Sequence, residues 1–237
     1  MLEIVVDTRE RLVGEFVRRF ERHSANAIAA RGRFSLAIPG GSVARTLLPA
    51  LVAAAVDWPR IDVFWCDERA VPAADPASNF GAADALLFAR IPGRPAVLHP
   101  MPTDVSDLAR AADEYEVEMR HVLGGPPVLD LMLLGAGPDG HVCSLFAGHP
   151  ALEERDRSVV AVRGAPKPPP DRLTMTLPVV GDARHLYLGA FGTEKAEMVR
   201  EIVEHNGSLL PAAQALRCNA TAVCLFDDAA ASLLSRA

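Results

Sequence analysis

The chain has 237 residues, half of them hydrophobic, which is enough to bury a large core and argues against extended disorder. Its 24 basic and 30 acidic residues give a net charge of −6, so there is no basic surplus for nucleic acid and no run near the ~20 apolar residues that would span a membrane. Residues 1–10 lack the pattern of a secretory signal, and the four cysteines form no C-x-x-C pair, which predicts reduced thiols in a cytoplasmic protein.

Short β-rich runs alternate with longer helical patterns along the chain. Asp7 and Glu10 are placed as the N-cap and N3 residues of a first helix, and a second helical run covers Val43–Val56. This alternation predicts one α/β domain over residues 1–237, with a largely parallel, Rossmann-like sheet covered by helices on both faces. The predicted strands are Glu3–Val6, Phe34–Ile38, Asp62–Trp65, Leu129–Leu134, Val159–Val162, Leu173–Leu177, Leu186–Phe191 and Thr221–Phe226.

The loops after the strands are where chemistry is expected, because open α/β sheets bind ligands beyond the carboxyl ends of their strands. The first such loop contains Gly40, Gly41 and Ser42, directly before a helical run. Paired glycines allow the backbone to approach a ligand, and a capping serine leaves helix N–H groups facing an anion. A plain tight turn with a capping serine explains the same residues equally well.

The second loop carries Asp67, Glu68 and Arg69 directly after an apolar strand, with Ser78 and Asn79 a little further on. Three consecutive charges at the end of a buried strand are unusual. They indicate the mouth of a site, and the alternative is a solvated turn.

The third loop is rich in glycine and presents Asp139 and His141 after the apolar strand at Leu131–Leu134. Histidine is the usual general acid or base near neutral pH, and a nearby carboxylate can orient it. A lone histidine is more often structural, but its place in this loop favours a catalytic role.

Two later segments each offer a cation, Arg172 just before a strand and Lys195 just after one. Taken singly, both are typical of ordinary surface charges. The proline-rich stretch Pro166–Pro170, which precedes Arg172, is interpreted as a surface loop because it is short and strand signals resume at once.

Together these five segments resemble the 6-phosphogluconolactonase family, which is grouped with the glucosamine-6-phosphate isomerases (deaminases). The resemblance runs from Phe34 to Lys195 in the order typical of the family. Two departures occur near the first loop: Pro39 stands where the family usually has serine, and Val43-Ala44 replaces a common Thr-Pro. The matching motifs are 67–72 (DERAVP) with Ser78-Asn79, 134–146 (LGAGPDGHVCSLF), 172–174 (RLT) and 192–195 (GTEK).

The resemblance implies a NagB-like α/β fold without a cofactor or catalytic metal, and a reaction that opens 6-phospho-D-glucono-1,5-lactone to 6-phospho-D-gluconate in the pentose phosphate pathway. In that reaction His141 would act as general base on water, Asp139 would orient it, and Arg69 and the glycine loop would stabilise the oxyanion. Partners other than the phosphorylated lactone are not expected, and a monomer is favoured. The substrate and phosphate contacts implied by the resemblance are Gly40, Gly41, Ser42, Asp67, Arg172 and Lys195.

Two other activities remain open at this point. Deaminases of the superfamily carry a ring-opening glutamate after the Asp-Gly-His segment, and counting seven residues on from Asp139 gives Phe146 instead. A serine esterase could use Ser42 as its nucleophile, because residues 40–44 are close to a G-x-S-x-G elbow, although Ala44 replaces its last glycine. A sugar-phosphate sensor is less favoured, since such regulators carry a basic DNA-binding segment.

Overall fold

Strands and helices alternate in the computed structural model, which describes residues 2–92, 96–103 and 105–235. Within these residues the strands are β1 (Glu3–Asp7), β2 (Phe34–Ile38), β3 (Ile61–Trp65), β4 (Asp67–Arg69), β5 (Val97–His99), β6 (Leu131–Gly135), β7 (Val159–Val162), β8 (Arg172–Met175), β9 (Leu186–Ala190) and β10 (Ala222–Asp227). The α-helices are α1 (Arg9–Arg31), α2 (Gly41–Leu51), α3 (Asn79–Leu86), α4 (Leu108–Leu123), α5 (Leu177–Asp182), α6 (Ala196–Glu204) and α7 (Pro211–Cys218).

The main sheet of the described chain has seven parallel strands in the order β1-β10-β9-β6-β2-β3-β5. Every residue of β2, β3, β9 and β10 is buried. Since successive side chains of a strand point to opposite faces, such strands are covered on both sides, which confirms the predicted α/β architecture. The strand order reverses between β2 and β6, and this switch point opens a crevice at their carboxyl ends.

A smaller antiparallel sheet, in the order β4-β8-β7, lies beside this crevice. It pairs Asp67 with Thr174 and Arg69 with Arg172, so two segments that are far apart in sequence are placed side by side at the strand ends. The strand β4 was not predicted because it is only three residues long and highly charged, and three residues carry too little alternation to be recognised.

Several predicted boundaries are wrong, each for a local reason. The first helix is capped by Thr8, whose side chain accepts a hydrogen bond from the Arg11 backbone N–H, rather than by Asp7. The predicted strand ending at Leu177 stops at Met175, because Pro178 occupies the first turn of α5 and favours a helix start. Among the described residues, none of the helices is long and apolar enough to cross a membrane.

Candidate active site

A cavity of about 300 Å³ opens at the carboxyl ends of β2, β3, β6 and β9. The loops that follow these strands, together with the start of β8, supply its walls. The residues predicted from sequence that line it are Gly40, Gly41, Ser42, Asp67, Arg69, His141, Arg172 and Lys195. Asp139 is not part of the wall itself but forms a hydrogen bond to His141. The structure therefore brings together residues that are spread over more than 150 positions of sequence.

The glycine loop departs from the prediction in how it begins the helix. Gly40 is the N-cap residue in an extended conformation, Gly41 has a positive φ of 71°, and Ser42 already lies in the first turn of α2. No side chain of the described residues caps this helix end, so the predicted capping role of Ser42 is wrong. As far as the chain is described, the first backbone N–H groups of α2 therefore lie at this wall of the cavity without a side-chain cap.

Gly40 is required by a close neighbour rather than by its own backbone angles. A Cβ atom at this position would lie 1.8 Å from Oδ1 of Asn79 and 2.4 Å from its Cγ. The Asn79 amide donates hydrogen bonds to the backbone carbonyl of Asp67 at 2.9 Å and to its carboxylate at 3.3 Å. Gly40 thus leaves room for the side chain that holds Asp67 in place.

Gly40→Ala is therefore expected to displace Asn79 and to loosen Asp67. The kcat/KM of the reaction in this cavity should fall at least about tenfold, and overpacking should lower the free energy of unfolding by ~1–3 kcal/mol. Steady-state kinetics and thermal unfolding would measure the two effects. Gly14→Ala is the matched control: it lies within α1, its new Cβ would meet nothing closer than 3.5 Å, and alanine favours a helix. Wild-type kinetics in Gly40→Ala would contradict this account of the loop.

Asp67 and Glu68 are both buried, so the solvated-turn interpretation of this segment is wrong for them. The Glu68 carboxylate accepts hydrogen bonds from the backbone N–H groups of Asn79 at 2.8 Å and Phe80 at 2.7 Å, and from the Ser78 hydroxyl at 3.1 Å. Burial raises the pKa of Glu68, although these hydrogen bonds oppose the shift. Glu68 therefore anchors the start of α3, and its contacts are structural.

Asp67 joins this segment to the opposite wall of the cavity. Its Oδ2 accepts a hydrogen bond from the Ser144 hydroxyl at 2.7 Å, and Nη1 of Arg172 donates to the same hydroxyl at 3.3 Å. Ser144 follows the Asp-Gly-His loop and was not identified as a site residue from sequence. A serine in an apolar run gives no chemical signal until its buried partners are known.

Arg69 lines the cavity with one donor unused. Its Nη1 donates to the carbonyl of Ala77 at 2.6 Å, whereas its Nε is buried and has no hydrogen-bond acceptor within the described ranges. A buried donor without an acceptor is costly, and because this N–H is closed to solvent, Arg69 meets the cavity through its other atoms.

Arg172 and Lys195 are buried cations, only 3% and 7% exposed, and not the surface charges that each motif suggests when taken singly. The Arg172 guanidinium donates to the carbonyls of Pro169 at 2.9 Å and Lys167 at 2.8 Å, and it lies 5.5 Å from the centre of the Phe146 ring. Across the part of the chain that is described, neither cation forms an ion pair with a carboxylate. Two buried cations that form no ion pair in the described structure favour a bound anion.

Burial also lowers the pKa of Lys195, and neighbouring Glu194 acts in the opposite direction. Arg45, which follows the first turn of α2 and is exposed, adds a further cation to the cavity wall. Arg45 was not identified from sequence because its helical run reads as an ordinary amphipathic pattern.

His141 and Asp139 form the predicted pair, with His141 Nδ1 2.6 Å from Asp139 Oδ1. The imidazole packs on the Phe146 ring at 4.7 Å between centroids. Gly137 makes room for the pair, since a Cβ there would lie 2.2 Å from the imidazole and 2.3 Å from the carboxylate. The other ring nitrogen, Nε2, has no protein partner among the described residues and is not sealed from solvent.

Burial lowers the pKa of His141 below its ordinary value, although the bond to Asp139 opposes that shift. Burial alone would raise the pKa of Asp139, but hydrogen bonds from Lys167 and His141 outweigh it and bring the value to about 2. At neutral pH the pair is therefore a carboxylate beside a neutral imidazole, which is the form that accepts a proton.

Ser42 shows no hydrogen bond to His141 within the described residues. The described part of the chain also contains no group of three or more His, Cys, Asp or Glu side chains arranged to hold a metal ion. The chemistry that the cavity offers through its own side chains is proton transfer by an oriented imidazole next to an anion-binding wall.

Comparison with known proteins shows what the chain is similar to. Residues 7–224 match the family model described as glucosamine-6-phosphate isomerases/6-phosphogluconolactonase. The 6-phosphogluconolactonase of Rattus norvegicus is 41% identical over 216 residues, covering 86% of this chain and 82% of that protein. The 6-phosphogluconolactonase of Streptomyces coelicolor is 38% identical over 224 residues, covering 89% and 86%. A solved structure of 6-phosphogluconolactonase from Trypanosoma cruzi superposes with a TM-score of 0.87 at 26% identity, covering 100% and 98%.

Proposed function

Because the chain belongs to the family of glucosamine-6-phosphate isomerases and 6-phosphogluconolactonases, we infer that it hydrolyses 6-phospho-D-glucono-1,5-lactone to 6-phospho-D-gluconate in the pentose phosphate pathway. The observation that carries this inference is one cavity in which an oriented imidazole stands beside two buried cations without carboxylate partners. The four cysteines are unpaired, which supports a reducing compartment and hence the cytoplasm.

In the proposed reaction the lactone carbonyl is attacked by water. His141 Nε2 takes a proton from that water as its oxygen bonds to the carbonyl carbon, and Asp139 holds Nδ1–H so that Nε2 is the acceptor. The tetrahedral intermediate then collapses: the bond to the ring oxygen breaks, and the imidazolium returns the proton to that oxygen. The product is an open-chain carboxylic acid, which ionises to the carboxylate.

The negative charge of the intermediate needs donors that are already in place. The Arg69 guanidinium is proposed as one, since Arg69 lines the cavity. The backbone N–H groups at the start of α2, in the loop Gly40–Ser42, are proposed as others. Arg172 and Lys195 are proposed to bind the phosphate group, and burial makes such charged contacts stronger than they would be in water.

The deaminase alternative is disfavoured by what surrounds Phe146. At the position where the resemblance places a ring-opening carboxylate, this chain has a buried aromatic ring that packs on the His141 imidazole and lies under Arg172. The esterase alternative lacks the hydrogen bond from serine to histidine that activates a nucleophile, as far as the described residues extend.

We therefore expect the protein to accelerate hydrolysis of freshly generated 6-phosphogluconolactone and to release no ammonia from glucosamine 6-phosphate. In the lactone assay a coupling dehydrogenase would oxidise the product, 6-phosphogluconate, and the reduction of NADP⁺ would be followed. The rate of spontaneous hydrolysis would be subtracted. The same preparation would then be tested for ammonia. Ammonia release at a turnover comparable to lactone hydrolysis would assign the protein to the deaminases instead.

A further inference from the structure

Lys167 lies in the proline-rich stretch Pro166–Pro170, and its side chain reaches Asp139 and His141. Its Nζ lies 2.8 Å from Oδ1 of Asp139 and 3.4 Å from Nδ1 of His141. We propose that Lys167 is a positioning residue of this site: its ammonium group fixes the Asp139 carboxylate against His141 and holds the imidazole in its neutral, proton-accepting form. This inference rests on the proposed function, because it assigns a role within that reaction.

The three groups share a single oxygen atom. Oδ1 of Asp139 accepts the hydrogen bond from His141 and also the one from Lys167. When Nδ1 carries its proton towards Asp139, the ammonium group cannot also donate to Nδ1, so the 3.4 Å approach is an electrostatic contact. This contact disfavours protonation of the imidazole, because the ring would then carry a positive charge beside the ammonium group. The Asp139 carboxylate, which would stabilise a charged ring, already accepts a hydrogen bond from Lys167.

The other charges around His141 do not replace this contact. Asp67 and Asp139 raise the pKa of His141, whereas burial and Lys167 lower it. Lys167 is thus the cation that offsets the two carboxylates facing the ring. The remaining charged groups of the same cavity are Arg45, Arg69, Arg172, Glu194 and Lys195.

The use of lysine in this chain is itself informative. Of its 24 basic residues, two are lysines, Lys167 and Lys195, and the remaining 22 (24 minus 2) are arginines. Both lysines lie at the candidate active site, one bonded to Asp139 and the other lining the cavity. A lysine supplies a compact point charge, whereas the planar guanidinium of arginine needs more room and binds through several donors. The site therefore uses lysine in a chain that otherwise favours arginine.

Bound substrate increases the need for such a cation. A phosphate group brings about −1.5 to −2 charges at pH 7, and a negative charge near an imidazole favours its protonated form. The protonated form cannot act as a base. Lys167 counters this effect because its ammonium group lies 3.4 Å from Nδ1 of His141.

The backbone of Lys167 has a separate structural role. Its carbonyl accepts a hydrogen bond from Nη2 of Arg172 at 2.8 Å, and the Pro169 carbonyl accepts from Nε at 2.9 Å. A change of the Lys167 side chain leaves these carbonyls in place. A purely structural role for the loop and a charge effect on His141 are consequently separable by experiment.

The test compares Lys167→Met with wild type and with Lys167→Arg. In Lys167→Met the acid limb of the kcat profile is expected to move to higher pH by about one unit, with KM for the phosphorylated lactone changed less than about threefold. Lys167→Arg keeps the positive charge, so the acid limb of its kcat profile should lie at the same pH as in the wild type, even if kcat falls. A limb that does not move in Lys167→Met, or a rise in KM without such a move, would overturn the proposal.

A second measurement needs no lactone and separates this proposal from the proposed function. The imidazole of His141 can be titrated by NMR in the free protein, with its signal identified by its loss in His141→Asn. We expect a higher pKa for His141 in Lys167→Met than in wild type. If that shift appears in a protein without lactonase activity, the proposed function fails while the effect of Lys167 on the pair stands. An unchanged titration in an active enzyme overturns the role of Lys167 alone.

Discussion

His141→Asn is expected to lower kcat for lactone hydrolysis by ~10²–10⁴-fold, the usual contribution of a positioned general base. KM should change much less, because proton transfer acts in the transition state and not in ground-state binding. Asparagine keeps a polar side chain in the pocket beside Phe146 and can still reach Asp139, so the fold should be retained. Stopped-flow or coupled kinetics, with spontaneous hydrolysis subtracted, would measure the loss.

The dependence on pH gives this prediction a definite sign. The reaction needs the neutral imidazole, so wild-type kcat should fall as the pH drops through the pKa of His141. Burial lowers that pKa in the free protein, so the acid limb of kcat/KM, which reports the free enzyme, should lie below the ordinary histidine value of about 6.5. The variant has no titrating group at this position and should lose the limb.

His121→Asn provides the matched control. His121 is exposed in the last turn of α4 and does not line the cavity, so this variant should keep both kcat and the acid limb. If a folded His141→Asn protein retained near-wild-type kcat across the pH range, the base would have to be reassigned to Asp139. Its carboxylate is the group next to His141 in the same loop.

The placement of these residues was largely predictable from sequence, and the reason is the parallel sheet. Once β2, β3, β6 and β9 are recognised as buried strands, their carboxyl ends must meet at one edge, and the residues that follow each strand converge there. Gly40, Asp67, His141 and Lys195 all follow a strand in this way, and all line the same cavity. Their catalytic and binding roles remain predictions.

Burial at the site was not predictable, because it depends on segments that meet only in the folded chain. Arg172 donates hydrogen bonds to carbonyls of the proline-rich stretch, which the sequence indicates only as a surface loop. Ser144 becomes part of the site through Asp67, 77 positions away. Lys167 carries no motif signal of its own, and the scarcity of lysine in the chain was the one sequence feature that could have identified it.

The phosphate-binding role proposed for Arg172 and Lys195 leads to the second large effect. In Lys195→Met, KM for 6-phosphogluconolactone is expected to rise by about 10- to 150-fold, which corresponds to ~1.5–3 kcal/mol for a hydrogen bond to a charged group. Methionine keeps most of the apolar stem of lysine, so the buried side chain is replaced without leaving a cavity. Arg172→Met should act in the same direction. Because it also removes the contacts to the carbonyls of Lys167 and Pro169, its folding must be checked by thermal unfolding.

The decisive comparison uses the unphosphorylated lactone as a second substrate. Wild-type protein should hydrolyse it with a far lower kcat/KM, since the two buried cations then have no anion to bind. Lys195→Met should leave that low value almost unchanged, so the coupling between cation and phosphate can be read as a double-mutant cycle. Arg11→Met, at an exposed cation paired with Asp7 on the surface, should alter neither substrate. Equal efficiency of the wild-type enzyme towards both lactones would show that these cations do not recognise phosphate, and their burial would then need another anion to explain it.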